Sequence, residues 1–208
     1  MKTIKYILYI MTVLLLLPGS GAKAQSGNEF FLSYNFGVPL ADTKEYVPTV
    51  SYIGAEINYK YFLKKNISLS LSAGWNVFYK ETNELLSLPN ADVSGLQNRY
   101  INTVPLLAGV QYYFGKDNNN MRPYLGVNAG ALYLTRRLQI GVYDLTESSW
   151  HFMVQPEIGI LLEIDRYSDL LFGVTYNYGT PTKSDITGKD VTESWIGIKL
   201  GYGWKAPF

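Results

Sequence analysis

The sequence predicts an all-β fold, an eight-stranded antiparallel up-and-down transmembrane β-barrel. Three observations carry that expectation: an N-terminus ordered like an export signal, eight later segments that alternate with period two, and glycines confined to the face opposite the apolar residues. A period of two belongs to strands, whose successive side chains point to opposite faces.

Lys2 and Lys5 precede an apolar run from Tyr6 to Leu17, which Pro18, Gly19 and Ser20 break ahead of Ala22-Lys23-Ala24. That order reads as a secretory signal peptide over residues 1–24, cleaved after Ala24, with the mature domain over 25–208. The run is shorter than the roughly 20 residues a helix needs to cross a bilayer. The chain has no cysteine, which excludes disulfides, thiolate metal sites and lipid attachment through an N-terminal thiol. Three of its 18 basic residues lie in the signal, leaving fifteen against 17 acidic ones. No basic excess is present for a nucleic-acid partner. Eighteen Tyr, nine Phe and 19 Gly beside a single His point to strands with aromatic belts.

The first alternating segment sets Phe30, Leu32, Tyr34, Phe36 and Val38 against Ser33, Asn35 and Gly37. The second sets Ile53, Ala55, Ile57, Tyr59 and Tyr61 against Gly54, Glu56, Asn58 and Lys60, and the third sets Ile67 through Val77 against Ser68, Ser70, Ser72, Gly74 and Asn76. The fourth carries Val104 through Phe114 on its apolar parity, the fifth Leu125 through Tyr133, and the sixth Val154 through Ile164. The seventh runs over Leu170, Phe172, Val174, Tyr176 and Tyr178, and the eighth over Ile196, Ile198, Leu200, Tyr202 and Trp204. Each is about the 9–11 residues that a tilted membrane strand requires. Small residues on the polar face suit an eight-stranded barrel, whose interior is only wide enough to be filled by side chains. A soluble barrel would put its aliphatics inside and its charges outside.

Three connections are short, at Leu63–Asn66, Gly115–Met121 and Asp165–Asp169. Four are longer, near Pro39–Thr49, Glu81–Arg99, Thr135–Trp150 and Thr180–Thr192. Short turns at one end and long loops at the other are the layout of membrane barrels. Pro105 and Pro156 each remove a ladder donor, so bulges are expected there.

The segments Arg122 to Tyr133 and Val104 to Phe114 are similar to the fifth and fourth strands of outer-membrane β-barrel domain proteins of the OmpA/OmpX-like class, and the mature chain resembles that class over essentially its whole length. The C-terminus resembles the class more specifically. Tyr202, Trp204 and the final Phe208 share one parity, like the signal by which such barrels engage their assembly machinery, although Pro207 departs from the usual pattern. The resemblance implies location in the bacterial outer membrane, contact with its lipids and lipopolysaccharide, dealings with periplasmic chaperones and the assembly machinery, a monomeric state and no cofactor.

The phasing places Glu56, Lys60, Lys80, Glu157, Glu163 and Lys199 inside. Glu56, Glu157 and Lys199 fall near mid-height, where a charge removed from water needs a partner, so Lys199 is expected between the two glutamates. This resembles the lumenal clusters that close or gate small barrels of the class; a purely structural filling is the plainer account. His151, at the entry of the third loop into the sixth strand, has Glu147, Ser148 and Ser149 nearby, a set with the residue types of an ester hydrolase but without the spacing of lipid A deacylases. Arg136 and Arg137 in the third loop could touch lipopolysaccharide phosphates, but a solvated loop pair offset by Asp144 and Glu147 is the plainer reading. Tyr59, Tyr61, Tyr112, Phe114 and Trp204 at one end, and Phe36, Trp75, Tyr133 and Tyr176 at the other, read as interfacial girdles. Gly115-Lys116-Asp117 lacks the upstream glycine of a phosphate loop, and no His/Glu metal spacing exists. The expected function is therefore a structural or interaction barrel with a plugged polar lumen and four external loops. A narrow pore gated by lumenal charges is the alternative, followed by a lipid A-modifying enzyme or an adhesin acting through Glu81–Arg99.

Overall fold

A computed structural model of the chain describes residues 27–83, 86–88, 91–93, 96–114, 120–141, 143–184 and 188–205. The signal peptide, Phe208 and most of the turn between the fourth and fifth segments lie outside the described residues. The described chain is built from β1 (Asn28–Leu40), α1 (Ala41–Tyr46), β2 (Ile53–Lys64), β3 (Ile67–Thr82), the short β4 (Leu86–Leu88) and β5 (Ala91–Val93), β6 (Gln97–Tyr113), β7 (Met121–Ile140), β8 (Tyr143–Glu163), β9 (Ser168–Lys183) and β10 (Asp190–Lys205). Eight strands close a barrel in the order β1-β10-β9-β8-β7-β6-β3-β2, while β4 and β5 pair as a separate hairpin. Every neighbour is antiparallel, and the ring closes where β1 meets β10, from Glu29 opposite Lys205 to Leu40 opposite Ser194.

The alternation read from the sequence is the alternation of burial. Along β2 every even residue from Gly54 to Phe62 is buried and the odd ones are exposed. The outer wall shows Leu32, Leu71, Leu106, Leu125, Ile158 and Phe172, each more than two-fifths exposed. A continuous apolar wall of this extent does not face water on a soluble monomer; it suits a bilayer. Inward glycines make the interior fit. An added Cβ at Gly159 would lie 2.5 Å from the Phe172 carbonyl and 2.6 Å from the Tyr124 ring.

Several expectations about the strand ends are corrected. The segment Thr135–Trp150 is not a loop: β7 and β8 pair through it, from Ile140 opposite Tyr143 downward, because Arg136 and Arg137 find Glu147 and Asp144 across the hairpin. Within Glu81–Arg99, β3 continues to Thr82 and β6 begins at Gln97. Pro39 belongs to β1, and the connection after it folds as α1. Strands of 12 to 21 residues thus exceed the roughly 9–11 that a tilted membrane strand requires.

Neither Pro105 nor Pro156 produces a bulge. Each lacks the N–H for one ladder, and the chain skips pairing locally without changing register: β3 and β6 pair at Ala73–Leu106 and resume at Asn76–Thr103, and β8 and β9 pair at Val154–Tyr178 and resume at Glu157–Thr175. The register shifts fall instead between Phe62 and Lys64 and between Val191 and Glu193.

Candidate functional site

The lumen is filled in tiers, each assembled from the inward parity of successive strands. At the turn end Phe31, Phe62, Tyr113, Tyr124, Leu161 and Leu171 form one buried cluster. Lys60 is wholly buried within it. Its Nζ donates to the Tyr113 hydroxyl (3.1 Å) and lies 4.9 and 4.6 Å from the ring centroids of Phe31 and Tyr124. Ring faces are electron-rich and replace part of the hydration that this ammonium has lost. Below, at the rim, Lys205 bridges Asp169 and Glu163, both at 3.0 Å. Glu163 is therefore a rim residue, 44% exposed, rather than a lumenal one, because β8 ends there.

Mid-height holds the expected charges. Lys199 Nζ donates to Glu56 Oε1 at 2.8 Å and Glu157 Oε2 at 3.2 Å, and all three side chains are buried. Register brings them to one level: Lys199 sits opposite Asn35, and Ser33, two residues before it on β1, sits opposite Glu56. On the other flank Gly173 sits opposite Lys199 and Gly159, and an added Cβ at Gly173 would stand 3.3 Å from Glu157 Oε1. Glu157 also accepts from the Tyr124 hydroxyl (2.5 Å) and Asn128 Nδ2 (3.1 Å), and the chain continues from Asn128 to Gln155 (3.0 Å) and from Gln155 to Asn177 (2.7 Å). A cavity of about 10 Å³ lies against Asn35, Asn76 and Lys199, roughly the room of one water.

Above this network Phe78, Ile101, Leu107, Leu132, Leu134, Met153 and Trp195 form an apolar layer that Tyr46 and Val47 complete from outside the wall. Over it stands a second charged group that the sequence reading assigned to loops. Arg136 is 2% exposed and pairs with Glu193 and with Glu147 (3.4 Å). Thr43 of α1 donates to Glu193 Oε2 (2.8 Å) and accepts from the Ser194 N–H (2.9 Å), while Asp42 accepts from the Thr192 N–H (2.8 Å). Arg99 and Arg136 both lie over the Tyr46 ring, at 5.7 and 5.2 Å. The available signal was parity: Arg99 continues the inward row of Ile101 and Thr103, and Arg136 that of Leu132 and Leu134. Arg137, on the other parity, is exposed and pairs with Asp144.

His151 is an inward residue of β8, 5% exposed, and not a loop residue. The Thr180 carbonyl, 2.7 Å away, can only accept, so Nδ1 carries the proton and Nε2 is left to accept from the Ser149 hydroxyl at 2.8 Å. Glu147, the acid considered for this set, is taken up by Arg136 and Ser184. The pair faces the lumen, away from lipid. Tyr202 and Trp204 meet edge to face on the outer wall, with ring centroids 4.9 Å apart.

No family profile matches the sequence, and no curated protein matches it. The fold has counterparts among solved structures. The outer membrane protein OprG from Pseudomonas aeruginosa is 15% identical with a TM-score of 0.51, the match covering 88% of this chain and 97% of that one. A major outer membrane protein from Thermus thermophilus is 12% identical with a TM-score of 0.52, covering 86% of this chain and 99% of that one. The chain has the fold of the outer-membrane β-barrels.

Proposed function

We propose that the chain is a structural or interaction barrel of the bacterial outer membrane, exported by a cleaved signal peptide, which presents its loop end outside and keeps its lumen plugged. The observation that carries this reading is the continuous filling of the lumen, from the Lys60 aromatic tier through the Glu56, Lys199 and Glu157 network to the layer closed by Tyr46. Lipid and lipopolysaccharide would surround the apolar wall of a monomer, and Tyr202, Trp204 and Phe208 would engage the assembly machinery. The reading is non-enzymatic: His151 leans on a backbone carbonyl rather than a carboxylate, which supports a packing role.

A second reading, a narrow gated pore, has one observation in its favour. Asn35 and Asn76 carry buried, unpartnered Oδ1 atoms beside the small cavity at Lys199, as the lining of a water path would. Planar-bilayer recording of the wild type and Lys199→Met, at equal barrel assembly, separates the two. The plug reading expects no unitary conductance from either protein. Conductance that appears or rises in Lys199→Met would establish the gate instead.

A further inference from the structure

The loop-end charges do not balance residue by residue. Arg136 has two carboxylates, Glu147 and Glu193. Arg99, 6% exposed, has none: among the described residues it donates to Gln97 Oε1 (3.0 Å) and, at 3.5 Å, to the Tyr46 carbonyl, and both acceptors are neutral. The Nε–H groups of both arginines are buried and unpartnered. A buried guanidinium without an anion is costly, and the fork of donors it carries matches an oxyanion. Both guanidinium groups lie over the Tyr46 ring, at 5.7 and 5.2 Å, and that ring is contributed by a segment that is not part of the wall.

That segment enters through a strained hinge and rejoins the wall at Ser51, which exchanges backbone hydrogen bonds with Gly37 (2.9 and 2.7 Å) and donates through its hydroxyl to the Val77 carbonyl (2.6 Å). Ala41 has φ of +42°, a left-handed conformation that a residue with a Cβ adopts at a cost. Asp42 and Thr43 tie it to β10, and the Tyr46 hydroxyl reaches only the Arg137 carbonyl, at 3.2 Å.

We propose that the strap of residues 41–50, between the Ala41 hinge and the Ser51 anchor, is a displaceable cover, and that its withdrawal opens a binding site for a soluble oxyanion, such as a phosphate, between Arg99 and Arg136. The ligand is a solute and not a lipid headgroup, because both arginines project into the lumen whereas lipid lies against the outer wall. The site goes beyond the scaffold reading and does not depend on conduction, since the tiers beneath it stay filled.

The test uses the assembled barrel in uncharged maltoside micelles, titrated with inorganic phosphate at constant ionic strength, with the arginine Nε–H resonances as the readout. Tyr46→Ala, which removes the competing ring, is expected to tighten phosphate binding by about tenfold or more. Arg99→Gln placed in that background is expected to abolish the gain. Because the chain lacks cysteine, a Thr43→Cys, Ser194→Cys pair can lock the strap. Oxidised protein should fail to bind and reduction should restore binding, a comparison within one folded molecule. Equal binding by oxidised and reduced protein, indifference to Arg99→Gln, or perturbation only when phosphatidylglycerol is added to the micelles would each overturn the proposal.

Discussion

At the end where β1 begins and β10 finishes, the lumen is filled by side chains of the wall itself: Phe31, Lys60, Tyr113 and Tyr124 project from four different strands. At the other end the filling is completed by α1, a segment hinged on Ala41 and tied down by Asp42 and Thr43. The first closure cannot be undone without unpacking the barrel. The second can be, because residues 41–50 lie between the Ala41 hinge and the Ser51 bridge to Gly37, and their withdrawal would leave the wall ladders intact. On the proposed reading, one end is a permanent plug and the other a cover.

Breaking the permanent side should have the largest effect. Lys199→Met leaves Glu56 and Glu157 buried without their cation, and removing one member of a buried ionic group costs on the order of 3–5 kcal/mol. Urea titration of the micelle-bound barrel should show that loss, and Glu157→Gln added to it should recover part. Gly159→Ala comes next. Its new methyl meets the Phe172 carbonyl and the Tyr124 ring, an overpacking expected to cost about 1–3 kcal/mol by the same titration.

How far these tiers were legible depends on where parity alone decides. Alternation placed Glu56, Glu157 and Lys199 on inward faces, and the height of each along its strand was enough to bring them together. It failed at the strand ends, where polarity was read as loop. Arg136, Glu147 and His151 lie in paired strand and point inward, but a charged residue in phase looks the same in one dimension as a charged residue in solvent. The strap was illegible for another reason. Six helical residues are too few to be stable alone, and α1 exists because Thr43 and Asp42 find β10, some 150 residues away in sequence. The prolines misled because a missing donor was equated with a bulge, whereas a long closed ladder keeps its register across a skipped pair.

The cover should respond to smaller changes. Thr43→Val removes its hydrogen bonds to Glu193 and from the Ser194 N–H, which weakens the strap by about 1–2 kcal/mol. Hydrogen exchange should accelerate over residues 41–47 and around Ser194 while the Lys60 tier keeps its protection. The smallest effect is a pH dependence. Burial pushes the Tyr46 phenol up to about 12 from its ordinary 10.0. Its folded pKa lies above its unfolded one, so its contribution is full below about 10 and is lost as pH rises through about 12. Protection of the strap, measured against the intrinsic base-catalysed exchange rate, should therefore fall over that alkaline window.

The contrast between plug and cover is tested most directly by replacing residues 41–50 with a flexible glycine-serine linker and recording the assembled barrel in a planar bilayer. The account predicts that the variant stays as closed as the wild type, since Lys60 and its aromatic rings still fill the turn end. Stable unitary conductance from the linker variant would contradict it and would make the strap, not the wall, the element that closes this lumen.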